Sequence, residues 1–142
     1  FRPDIVQGPL NIFDQRIIRS GWLKKLNRSG IEFHARSIFL QGLLLKKSAE
    51  LPVKFKKYSN IFINYHQWLK KNNLNSFTAC LYFISSIKFV KKIVVGVDNY
   101  FQLQDIMNLK FNKKKYNFKK LIFLKKNLIY PTNWKYYAKK NN

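Results

Sequence analysis

At 142 residues, 46% of them hydrophobic, the chain has the size of one ordinary domain and enough apolar side chains to build a core. Its formal net charge of +22, from 28 Lys and Arg against 6 Asp and Glu, raises a polyanionic partner as a first reading. A single Cys and two His exclude a disulfide framework and a zinc cluster, and the longest uncharged run, Asn72 to Ile87, is too short and too polar to span a bilayer.

Taken in order, Ile5 and Val6 begin a short strand that Gly8-Pro9 interrupts, and Asn11 or Asp14 can cap the helix that follows. Ile17, Ile18, Trp22, Leu23 and Leu26 recur at helical spacing, with Arg16, Arg19, Lys24 and Lys25 between them, so one face packs and the other is wet. Gly30 suits a left-handed cap at the end of that helix. Ile31 to Phe39 reads as a second strand, apolar enough on both faces for a parallel sheet. Beyond Leu45, Pro52 and its polar neighbours mark a loop. Helices are then expected over Asn60 to Lys71, with Ile61, Tyr65, Trp68 and Leu69 as the stripe, and over Phe77 to Ile87. A third strand, Ile93 to Val95, runs into Gly96, and Asn99 opens a helix carrying Phe101, Leu103, Ile106 and Met107. Strands that alternate with helices define an α/β chain.

The charge is uneven. Phe1 to Leu45 carries a net +4, Lys46 to Leu109 a net +7, and Lys110 to Asn142 a net +11 with no acidic residue at all. This divides the chain into residues 1–109 and a Lys-rich extension, residues 110–142, that is expected to pack as a helical tail through Tyr116, Phe118, Leu121 and their apolar neighbours. Of the basic residues 23 are Lys and only 5 are Arg, whereas base and phosphate recognition favours the bidentate fork of Arg. Nucleic acid is therefore the less expected partner, and a solvated Lys-rich surface the plainer reading. Without a signal-like segment or a membrane span, the expected setting is the reducing cytoplasm.

Periodicity alone fits any α/β protein; the family reading rests on motifs. Four blocks, QGPLNIFDQR at Gln7 to Arg16, GIEFHARSIFLQGLLL at Gly30 to Leu45, VVGVDNYFQL at Val94 to Leu103 and YPTNW at Tyr130 to Trp134, resemble the C-terminal half of the aldo/keto reductases. The nearest branch is the one found beside bacterial surface-polysaccharide genes. The resemblance implies a partial TIM (β/α)8 barrel: its sixth strand at Asp4 to Leu10, its seventh at Phe33 to Ser37 and its eighth at Lys92 to Val95. A complete barrel takes roughly 250 residues, so the chain is expected to be the later half of an enzyme whose first half lies upstream of Phe1.

The resemblance also implies a nicotinamide cofactor, NADP(H) by preference and NAD(H) as the alternative, bound at the strand ends without a GxGxxG fingerprint. On this reading Gln7 bonds the nicotinamide carboxamide, which needs a donor and an acceptor together. Arg36 stands where many members place an aromatic against the ring; its planar guanidinium can stack or pair with phosphate, or it can instead form a surface ion pair with Glu32 or Asp14. Ser37 and the turn from Phe39 to Gly42 match the segment over the pyrophosphate, and Gly96 to Asn99 would meet the adenosine phosphate. Gln102 replaces the Arg that many members set beside the 2′-phosphate, Ile106 replaces a common Asn, and Asp105 matches an acid near the adenine amino group.

Reducing an aldehyde, ketone or sugar carbonyl requires a proton donor, which the family builds from Tyr, Lys, Asp and His in the first half of the barrel. The partners implied are therefore the cofactor, a small carbonyl substrate and that other half, and the chain alone is expected to be inactive. The alternative is a small basic module that binds nucleic acid through KKKYNFKK and WKYYAKK, where Lys alternates with aromatics able to stack on bases.

Overall fold

The computed structural model describes residues 2–111, 114–123 and 125–134. Three strands, β1 (Ile5–Pro9), β2 (Glu32–Arg36) and β3 (Val90–Ile93), form one parallel sheet in the order β1-β2-β3. Helices α1 (Arg16–Arg19) and α2 (Trp22–Arg28) connect β1 to β2. Three 3-10 turns, α3 (Ser59–Lys71) and α4 (Ser76–Ser85) connect β2 to β3, and α5 (Tyr100–Met107) follows β3. The chain is thus mixed α/β with a small parallel sheet. No described helix is long and apolar enough to cross a membrane.

The register runs Val6 beside Phe33 and Gly8 beside Ala35, with Gln7 beside His34 and His34 beside Lys92. Since alternate residues face opposite sides of a strand, Val6, Gly8, Phe33 and Ala35 share the face that packs on Ile17 of α1. Gln7, His34 and Lys92 share the opposite, polar face. There His34 Nε2 lies 3.1 Å from Glu32 Oε2, and this contact holds the Glu32 carboxyl below the ordinary carboxylate range. Each outer strand has one edge with no partner among the described residues.

The long helix expected after β1 is instead two short ones. Gly21, at φ 78°, takes a left-handed conformation that breaks the α-helical path between them. The restart in α2 buries Leu23 but leaves Trp22 52% exposed, with Lys25 Nζ 4.5 Å from its ring, so Trp22 leaves the expected packed stripe. The third strand begins earlier than its β-branched run, at Val90, and ends at Ile93; Val94 and Val95 lie past its end, although the Val94 N–H still donates to Ala35 O at 2.8 Å. Helices α3 and α4 fall where expected. The first is amphipathic, burying Phe62, Tyr65 and Leu69, whereas Ala79 to Ile84 of the second are buried all round.

The expected helical tail is mostly irregular among the described residues. It carries a 3-10 turn at Lys119–Leu121, the single-turn helix α6 (Lys126–Ile129) and a second 3-10 turn at Pro131–Trp134. It packs nonetheless: Phe118, Leu121, Leu128 and Ile129 are buried. Within WKYYAKK, the residues after Trp134 lie outside the described part of the chain, as does Lys113 of KKKYNFKK. The single thiol, Cys80, is fully buried beside the Tyr65 hydroxyl, and burial pushes its pKa up to about 12.

Gly8 sets how closely β1 and β2 pack. A Cβ built there would meet the Phe33 ring at 2.8 Å, and that ring is itself only 1% exposed, so it has little room to move. Gly8→Ala should therefore lower the unfolding free energy by about 1–3 kcal/mol, the usual cost of overpacking a core. A urea melt that superimposes on that of the parent would contradict this placement of Gly8.

Candidate functional site

Parallel strands expose their chemistry at their C-terminal ends, where the chain leaves the sheet in loops. Here the loop after β1, Leu10 to Gln15, is buried, with Leu10, Asn11, Ile12, Phe13 and Asp14 all at 1% exposure or less. A buried loop must satisfy its own polar groups. Asn11 Oδ1 accepts from the N–H groups of Phe13 and Asp14, at 3.1 and 2.9 Å, and Asn11 Nδ2 donates to Ser37 O at 3.1 Å. Asp14 is held by Arg16, whose Nε and Nη2 donate to its two carboxylate oxygens at 2.7 Å each. The same guanidinium lies 3.8 Å from the Tyr130 ring, so the YPTNW block is fastened to the β1 loop.

The Asn11 to Ser37 hydrogen bond places the loop after β2. Ser37, Leu40, Gln41 and Gly42 all have positive φ, at 56°, 49°, 53° and 75°. Three of them are not glycine, and each such residue costs free energy that the surroundings must hold in place. The loop is held from both sides: Leu10 N–H donates to Arg36 O, Leu44 N–H donates to Phe39 O, and the Phe39 ring stacks on Phe77 of α4 at 5.6 Å.

Beyond this coiled loop a cleft of about 590 Å³ opens between the C-terminal ends of β2 and β3. Arg36, Ser37, Phe39, Gln41 and Gly42 line one wall; Val94 to Asp98 with Gln102 and Ile106 line the other. Of the residues singled out in the sequence, Arg36, Ser37, Phe39, Gly42, Gly96 and Gln102 therefore meet around one space. Gln7 lies on the exposed polar face of β1, outside that lining. Asp105 is exposed on α5, also outside it.

Asn99 caps α5, accepting from the Gln102 N–H at 3.0 Å, while Gln102 Oε1 accepts from the Asp98 N–H at 2.8 Å. This reciprocal cap occupies the Gln102 side chain. Arg36 donates to the Ser37 hydroxyl at 3.3 Å, and neither expected carboxylate reaches it: Glu32 pairs with His34 and Asp14 with Arg16. Its guanidinium thus borders the cleft without a carboxylate partner among the described residues.

Gly96 and Gly42 both line the cleft, and a Cβ on either would meet no atom within 4 Å. Neither glycine is kept small by packing; a side chain there would take up open space. Sequence reasoning missed Phe77 and Val94 of the walls. It also offered Asn11 or Asp14 as the helix cap: Asn11 instead makes an Asx turn that bridges two loops, while Asp14 Oδ1 accepts from the Arg16 N–H at 3.3 Å. The Asx-turn chemistry of Asn was the available signal, but no local pattern announces a partner 26 residues away.

Replacing Asn11 by Ala leaves the buried N–H groups of Phe13 and Asp14 and the Ser37 carbonyl without their partner. Such orphaned groups cost about 1–3 kcal/mol each when water cannot reach them. Asn11→Ala should destabilise the fold by at least about 2 kcal/mol and raise amide hydrogen exchange across residues 37–42; protection of that loop unchanged from the parent would contradict the bridging role. No protein-family model matches the chain, and a search of curated proteins returns no match.

Proposed function

We propose that the chain is the cofactor-holding part of an NAD(P)H-dependent carbonyl reductase of the aldo/keto reductase kind, its sheet being the last three strands of a (β/α)8 barrel. The observation that carries this reading is the cleft at the C-terminal ends of β2 and β3, lined by Arg36, Ser37, Phe39, Gly42, Gly96 and Gln102. Its volume, about 590 Å³, is within the range of small-molecule sites.

The residues fit the group they would hold. Arg36 offers a cationic fork and Ser37 a hydroxyl to a phosphate, while Gly42 and Gly96 leave the space that an extended dinucleotide needs. When bound, the nicotinamide supplies hydride to a carbonyl carbon. The carbonyl oxygen then needs a proton, and the residues lining the cleft include no Tyr, Lys or His. Hence the cleft holds and orients a cofactor, and the proton must come from elsewhere.

The open edges of β1 and β3 are where further barrel strands would pair, and those strands are the proposed source of the proton donor and of much of the substrate pocket. NADP(H) is the proposed form. NAD(H) is the competitor, because Gln102 is neutral and committed to the α5 cap, leaving Arg36 as the cation lining the cleft. The buried, protonated thiol of Cys80 is compatible with a reducing cytoplasmic setting.

Calorimetric titration of the purified chain with NADPH and NADH tests this. Saturable binding is expected, stronger for NADPH, with no aldehyde-dependent NADPH oxidation. Gly96→Ala should weaken binding while leaving the melting temperature unchanged. Absence of saturable binding by either cofactor would sink the reading, and turnover that disappears on mutating a cleft residue would overturn the assignment of the chain as non-catalytic.

A further inference from the structure

A second cleft, of about 550 Å³, lies between the C-terminal part of α4 and the segment around Tyr116. Its walls include Tyr82, Phe111 and Tyr116, with Lys114 and Lys115 at the rim. Tyr82 is the centre of the aromatic group. Its ring lies 5.3 Å from Phe111 and 5.6 Å from Tyr116, at interplanar angles of 39° and 31°, closer to stacked than to edge-on. The Tyr82 hydroxyl is turned away into a hydrogen bond with Lys110 O at 3.0 Å, which fixes the ring. Phe111 is 53% exposed, so this aromatic group reaches the surface.

We infer that this cleft is a stacking site for the bases of single-stranded nucleic acid, with Phe111 as the platform and Lys114 and Lys115 as phosphate contacts. Two features argue together for this occupant. A half-exposed aromatic side chain beside two further rings offers an unpaired base a surface to stack on, and such stacking tolerates any sequence. The lining contains no carboxylate, and from Lys110 to Asn142 the chain has no acidic residue, so the surrounding potential favours a polyanion. The cleft shares no lining residue with the one between β2 and β3, so this binding is independent of the proposed cofactor role.

The test is fluorescence anisotropy with the full chain and a labelled 12-nucleotide single-stranded RNA of mixed sequence, with inorganic polyphosphate of similar charge as competitor. Expected is binding that weakens with salt, a loss of about tenfold in Phe111→Ala, and a log–log salt slope shallower by roughly 1.4 in the Lys114→Ala/Lys115→Ala double variant, for two single-strand phosphate contacts. Phe111→Ala should keep the parent's circular dichroism melt, because the ring is exposed, and should bind NADPH as the parent does. The inference is overturned if the RNA does not bind. It is equally overturned if polyphosphate displaces the RNA at matched charge and Phe111→Ala binds like the parent, since attraction would then be charge alone.

Discussion

A single side-chain amide ties the loop after β1 to the loop after β2. Asn11 turns the β1 loop back on itself through its oxygen and reaches across to the Ser37 carbonyl through its nitrogen. On one side of that bridge Phe13 is driven into the core, where its ring meets Phe62 and Tyr65 edge-on, each at 5.5 Å, and its carbonyl accepts from the Phe123 N–H. On the other side the bridge secures the loop from Ser37 to Gly42, four of whose six residues have positive φ and which forms a cleft wall. Core and cleft are therefore built from one buried turn, and strain in the β2 loop is balanced by hydrogen bonds and packing made elsewhere.

Much of the framework was legible because it follows from local rules. The stripe of α3 and the uniformly apolar α4 dictate where those helices lie and that α4 is buried. Asn99 was read correctly as the cap of α5. The illegible parts are those set by long-range partners. Val94 and Val95 have strand-forming side chains, yet β3 ends before them, because pairing with β2 is carried by Phe33, His34 and Ala35. Ser37, Leu40 and Gln41 give no sign of positive φ, since that conformation is imposed by Asn11 and by the packing of Phe39 on Phe77. Gln7, Asn99 and Asp105 were grouped with the cleft by resemblance, whereas the described lining omits all three.

The excess of lysine acquires a distribution in three dimensions. The cleft between β2 and β3 is lined by one Arg and one Asp as its charged groups, and is close to neutral. The cleft beside α4 is rimmed by lysines and walled by aromatics. The cofactor proposed for the first cleft and the polyanion proposed for the second follow that division. Helix α5 flanks the first cleft with no buried residue of its own, leaving Tyr100, Phe101 and Met107 more than two-thirds exposed.

Whether and where NADP+ binds is the most direct question, because the proposed function assigns the cofactor to the cleft between β2 and β3 and not to the cleft beside α4. Amide chemical-shift mapping of the full chain during titration with NADP+ answers it residue by residue. The proposed function predicts shifts concentrated at residues 36–42 and 94–99, saturating together, with Phe111 and residues 114–118 unmoved. Shifts confined to the aromatic and lysine cleft, or no saturating shift at either place, would contradict it.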